Sequence, residues 1–217
     1  MKKILLISPQ PFFQWRGSPI RVKFTALSLA EAGYEVDLLT LPIGEQCDLP
    51  GVNIIRVSNP FGVKNIPIGP SYLKLLFDIL LIFRGLFQII KKRYQVIHGV
   101  EEAGIIARFL AALSGASSIY EIHSDPRSHV GKSFIKNQML KVYSFVEKKT
   151  VKISDAIICT GSGLLKQVQA MGVKNNAFHI FDIPSSLTEA DPEKTDSVRL
   201  KLQKQSDEIL ITFVGSF

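Results

Sequence analysis

Short continuous apolar runs alternate with amphipathic stretches along most of this chain. Ile4-Leu5-Leu6-Ile7 is the first run, and an unbroken apolar tract suits a strand buried on both faces of a parallel sheet. Ser8-Pro9-Gln10-Pro11 ends it, because proline fixes φ and offers the ladder no N–H. Pro19 is placed as a first helical residue with Ser18 as its cap. Val22, Ala26, Leu29 and Ala30 then recur at helical spacing until Gly33. Tyr34 to Thr40 reads as the second strand. The loop of this β-α-β unit lies at the carboxyl edge of the sheet, where open α/β folds take their ligands.

The alternation continues. Strands are predicted at 52–57, 95–98 (closed by Gly99), 117–122, 155–160 and 178–181, with helices over 101–113, 134–151 and 164–171. The result is an α/β fold, a Rossmann-like doubly wound, mostly parallel sheet with helices on both faces. It closes near Pro184. Residues 1–184 therefore form one Rossmann-like domain and 185–207 a polar linker. Residues 208–217 read as the first strand of a second domain whose remainder is missing, since one strand builds no sheet.

The stretch 72–93 departs from this regularity. Wound as a helix, it gathers Lys74, Asp78, Arg84, Gln88, Lys91 and Lys92 on a polar side, although Phe77 and Leu81 intrude there. Its apolar arc is wider than a helix packed on a sheet requires. Asp78, Arg84 and Gln88 interrupt it too early for a membrane span. Two readings stand: a core helix with a generous apolar face, or a surface that docks on an anionic bilayer.

Composition narrows the class. The chain of 217 residues is 46% hydrophobic and 21% charged, which describes a globular protein. A net charge of +7 favours an acidic partner such as phosphate groups or anionic lipid. Cys47 and Cys159 lack any paired spacing, which suits a reducing cytoplasm. Nucleic acid is disfavoured: Phe12, Phe13 and Trp15 near Arg16 could stack bases, but no recognised motif accompanies them.

The absent motifs matter as well. No G-x-G-x-x-G follows the first strand, and there is no G-x-x-x-x-G-K-[ST], D-x-D pair or G-x-S-x-G elbow. The candidates that remain sit at strand ends. Arg16, Gly17 and Ser18 precede a helix N-terminus, whose free N–H groups attract phosphate. Thr160-Gly161-Ser162-Gly163 is a second possible cradle, with Ser162 as a plain cap the simpler reading. His98 closes one strand, with Glu101 beyond it. His123 is grouped with Glu121, Asp125 and Arg127, and strand alternation sends Glu121 and His123 to one side. A carboxylate there would orient the ring for proton transfer or for binding a hydroxyl. Ligation of a metal by His123, Asp125 and His129 has no standard spacing.

Together these residues resemble the amino-terminal domain of the GT-B-fold glycosyltransferases, most closely the retaining family four. The resemblance is carried by Met1-Lys-Lys-Ile-Leu-Leu-Ile-Ser-Pro with the Gly17 loop, and by Leu-Ala-Glu-Ala-Gly-Tyr-Glu-Val-Asp-Leu-Leu-Thr at 29–40. Val96-Ile97-His98-Gly99, Tyr120-Glu121-Ile122-His123-Ser124-Asp125 and the closing Ile211-Thr212-Phe213-Val214-Gly215-Ser216 add to it. It implies an acceptor-binding half that works against a carboxyl-terminal domain holding a nucleotide-sugar donor as co-substrate, with no metal. His123 would reach the transferring sugar and Gly17 and Ser18, with Arg16, the donor diphosphate. His98, Glu101, Glu121, Asp125 and Arg127 would face a saccharide or lipid-linked acceptor. Where the family commonly shows two glycines in this loop, Arg16 precedes a single one. The piece alone is expected to be inactive, with the parent enzyme cytoplasmic or peripheral at the inner face of the plasma membrane. The alternative is a non-catalytic Rossmann-like module that binds a phosphorylated ligand or an anionic membrane surface.

Overall fold

The computed structural model describes residues 2–60, 62–66, 71–125, 134–182 and 191–202, without the side chains at 134–136 and 139. The chain divides into two units, Met1–Asp182 and Ile183–Phe217. In the second unit the described element is a helix, α6 (Pro192–Lys201), started by Pro192 and capped by Asp191, which accepts from the N–H of Glu193. The strand expected over 208–217 lies outside the described residues, as do 185–190 and 203–207 of the expected linker, whose described part carries α6.

The first unit runs β1 (Lys3–Ser8), α1 (Gly17–Glu31), β2 (Glu35–Thr40), β3 (Val52–Arg56), α2 (Tyr72–Lys91), β4 (Val96–Val100), α3 (Ala103–Ser114), β5 (Ser117–Ile122), α4 (Phe134–Ile153), β6 (Ala156–Cys159), α5 (Ser162–Ala170) and β7 (Ala177–His179). All seven strands are parallel, in the order β3-β2-β1-β4-β5-β6-β7. Register explains the layers. Leu6, Val36 and Leu38 face α1 through Val22 and Ala26. Leu5, Ile7 and Ile97 face the opposite way, onto Phe77 and Leu81 of α2 and the inner side of α3. Tyr120, Ile157 and Cys159 continue that second face and meet Val151 of α4 and Val168 of α5. Helices thus cover both faces, α1 on one and α2 to α5 on the other. Cys47 and Cys159 are both free.

Several boundaries move. Helix α1 starts at Gly17, and its N-cap is Arg16, in extended conformation with no side-chain bond. Ser18 is therefore not the cap, and Pro19 falls inside a first turn whose N–H groups have no intrahelical partner anyway. Ser162 is likewise not a cap, because Gly161 holds that position. Strand β4 runs past Gly99 to Val100. Gly99 pairs with Ile7 and Tyr120, and any Cβ on it would collide with the Ala103 carbonyl. A Cβ on Gly104 would collide with the Tyr120 ring. The two glycines let the amino end of α3 lie flush on the sheet.

Helix α2 is turned opposite to its sequence-based polar side. Phe77, Leu81, Gly85 and Gln88 are the buried residues, and Gly85 leaves the space that Leu110 of α3 fills. Lys74 and Asp78 also point inward, where Lys74 pairs with Glu102. The Tyr94 hydroxyl donates its one proton to Asp37 and lies 3.4 Å from the Gln88 amide oxygen. Lys92 binds the same Asp37 at 2.8 Å. Among the described residues, no helix is long and apolar enough to cross a membrane.

The inward turn strains one group. Burial, then the Glu102 carboxylate, push the Asp78 carboxyl up to about 7, against the pull of Lys74. A carboxyl raised above its unfolded value holds its proton more tightly in the fold, so stability falls as pH rises from about 4 to about 7. Asp78→Asn removes that dependence. Its thermal unfolding should match wild type near pH 4 and gain roughly 1–3 kcal/mol near pH 8. A difference that stays constant across this range would refute the assignment.

Candidate functional site

The strand order reverses between β1 and β4, so the crevice outside their carboxyl ends is where such a sheet takes a ligand. Five strand ends bring side chains there, and one buried carboxylate organises them. Glu121, in register with Val100 on β4, faces the α1 side of the sheet, and its side chain is only 2% exposed. Arg21 of α1 donates to its Oε1 through Nε. His123 Nε2 stands 3.0 Å from the same oxygen. His98 Nε2 stands 2.8 Å from Oε2, though not aligned for a full hydrogen bond.

Electrostatics fix the protons. Burial alone would raise the Glu121 carboxyl, but the imidazoles of His123 and His98 outweigh it and hold it well below the usual carboxylate range. An ionised carboxylate only accepts hydrogen bonds, so the proton on the His123 ring sits at Nε2. Nδ1 is the ring nitrogen that remains. It accepts from a hydroxyl when the ring is neutral and donates when the ring is charged.

Arg21 ties this centre to the end of the unit. Its Nη1 donates to Asp182 Oδ1 (2.7 Å) and the Phe181 carbonyl (3.1 Å), and its Nη2 to the Ile180 carbonyl (3.1 Å). On the other flank, Glu101 adopts φ +51, a left-handed backbone that is strained for a non-glycine residue. Its N–H donates to the Glu121 carbonyl at 2.7 Å, and its carboxylate accepts from Gln10 and from Ser124 Oγ. Asp125 and Ser124 border a shallow cleft with Glu147, Leu164 and Gln167.

The amino end of α1 completes the crevice. Gly17 is exposed with nothing within 4 Å of where a Cβ would stand. The Ile20 N–H already bonds the Arg16 carbonyl and Pro19 has none, so the free donors of this turn are Gly17 and Ser18. Arg21 is one turn beyond Gly17, on the same helix face. The Gly17 turn and the Glu121–His123 pair are therefore linked by a single side chain.

The candidates now sort themselves. Glu121, His123, Glu101 and His98 form one connected cluster, although His98 is buried behind Glu121. Arg127 and His129 lie outside the described residues. Thr160 is drawn to the same edge, its hydroxyl 3.5 Å from the carbonyls of Ile122 and His123. Among the described residues, no three His, Cys, Asp or Glu are arranged to hold a metal ion. Sequence reasoning missed Arg21 and Gln10. The available signal for Arg21 was a cation between Ile20 and Val22, one turn after Gly17.

Residues 15–181 match the family model for Glycosyltransferase Family 4. The fold is similar to that of sucrose-phosphate synthase from Thermosynechococcus elongatus (TM-score 0.67, 19% identity, 96% of this chain and 54% of that one). It is also similar to UGT89C1 of Arabidopsis thaliana complexed with UDP (TM-score 0.56, 13% identity, 95% and 55%). A third similar structure is the lipopolysaccharide outer core galactosyltransferase WaaB in its apo form (TM-score 0.53, 11% identity, 85% and 46%). The chain spans about half the length of each of these. No curated protein matches it in sequence.

Truncating Arg21 leaves a buried carboxylate without its guanidinium partner. Arg21→Ala should cost roughly 3 kcal/mol in denaturant unfolding near neutral pH, and Arg21→Lys less, although one ammonium cannot replace the guanidinium fork. Because Glu121 titrates below its usual 4.5, its stabilisation is present above that pH and is lost progressively below it. The Arg21→Ala deficit should therefore shrink in strong acid. An Arg21→Ala protein with the wild-type denaturation midpoint would contradict the hub.

Proposed function

The chain belongs to glycosyltransferase family 4, and from that premise we propose that it is the acceptor-binding half of a retaining enzyme that moves a sugar from a nucleotide-sugar donor to a saccharide or lipid-linked acceptor. The single observation that carries this reading is the Arg21–Glu121–His123 connection beneath an exposed helix N-terminus. UDP-bound UGT89C1 has a similar fold, and a donor of this chemistry suits the crevice.

In this reading the N–H groups of Gly17 and Ser18 meet diphosphate oxygens, with the exposed Arg16 adding positive charge. Glycine at 17 lets the phosphate come close to the backbone. His123, held by Glu121 through Nε2, presents Nδ1 to a hydroxyl of the transferring sugar. Glu101 and Asp125 face the acceptor. Positive charge from helix and arginine takes the place of a metal at the departing diphosphate. The rest of the donor site comes from a second domain, so the chain by itself transfers nothing.

The test uses the protein at full two-domain length with a panel of sugar nucleotides and saccharide or lipid-linked acceptors. His123→Ala should lower kcat by roughly a hundredfold. Gly17→Ala has room for its methyl group, so it should leave stability unchanged and raise the donor KM roughly tenfold. Wild-type kinetics in both variants, or absence of transfer from every donor, would overturn the proposal. A phosphorylated ligand bound tightly by the chain alone, unaffected by the second domain, would point to a binding module instead.

A further inference from the structure

The outer surface of α2, α3 and α4 is unlike the rest of the molecule. Turning Phe77, Leu81 and Gln88 inward leaves Tyr72, Leu75, Ile79, Phe83, Phe87 and Ile90 exposed on α2, between 42% and 83%. Their spacing follows one side of the helix, making a stripe along a 20-residue element of roughly 30 Å. Phe109 and Leu113 of the adjacent α3 are exposed as well. Monomeric soluble proteins seldom show so long a contiguous apolar stripe.

Charge separates the possible occupants. Arg84 and Lys91 on α2 and Lys141, Lys148, Lys149 and Lys152 on α4 are exposed. Among the described residues of α2, α3 and α4 there is no exposed acid. Their two acids, Asp78 and Glu147, turn inward, toward Lys74 and the Tyr120 hydroxyl. Arg84 stacks 5.3 Å from the Phe87 ring and Lys149 4.5 Å from the Phe145 ring, so cations sit among the exposed aromatics. A symmetric contact with a second copy would set these cations against one another. A surface of anionic headgroups over an acyl layer matches both the charge and the stripe.

We infer that α2, α3 and α4 form a docking face for an anionic lipid bilayer, with the α2 stripe entering the acyl boundary and the α4 lysines meeting the headgroups. This surface does not depend on sugar transfer. The α2 orientation puts the apolar side outward and adds α4 to the contact.

Co-sedimentation of the chain with vesicles tests it in the absence of any donor. With about two parts phosphatidylcholine to one of phosphatidylglycerol the chain should bind, and with phosphatidylcholine alone roughly tenfold less. Phe83→Asp with Phe87→Asp alters exposed positions only. It should cut binding at least about tenfold while circular dichroism melting stays as in wild type. Lys148→Glu with Lys149→Glu should cut it roughly tenfold and weaken its salt dependence. Three results would overturn the inference: no binding to either vesicle, equal binding by the Phe83/Phe87 variant, or light scattering that shows a dimer which this variant dissociates.

Discussion

A buried carboxylate cannot stand alone in a protein interior, and Glu121 meets that constraint by recruiting three cationic or cation-capable side chains. Arg21 comes from a helix, His98 from the neighbouring strand, and His123 from two residues along its own chain. Each has its direction set by the same two oxygens. The helix that carries Arg21 also carries Gly17, so the Gly17 turn and the histidine are placed by one charge interaction. The strained turn at Glu101 reinforces this from the backbone side, donating to the Glu121 carbonyl.

Close packing supplies the rigidity this arrangement needs. Gly99 and Gly104 allow α3 to press onto β4 and β5, with the Tyr120 ring filling the space a side chain at Gly104 would take. Tyr120 then donates to Glu147 of α4. The carboxyl edge is thus backed by a layer tied to β5 through the Tyr120–Glu147 bond, and the strand bearing Glu121 has little freedom to shift. Binding groups that sit at the ends of such packed strands keep their geometry better than groups on long loops.

The same layer has an unusual exterior. Helix α2 places lysine, aspartate and glutamine beneath it and phenylalanine, isoleucine and leucine outside. Water disfavours that choice. The interior favours it, because Gly85 is where Leu110 fits and because Asp37, Tyr94 and Glu102 offer partners to the polar groups below.

Periodicity by itself determined the architecture, since buried parallel strands read as unbroken apolar runs and the intervening helices repeat at their own period. Local spacing determined one piece of the site: residues two apart on a strand share a side, which brought Glu121 to His123. Other features needed the tertiary structure. Helix starts moved from Ser18 and Ser162 to Arg16 and Gly161, because either residue can end up inside a first turn whose N–H groups are free in any case. Arg21 and Glu121 are a hundred positions apart, and no local signal pairs them. A helix that is apolar almost all round has no preferred inward face in its own sequence. Its direction was decided by what lay beneath it, a glycine-sized gap and three polar partners drawn from other parts of the chain.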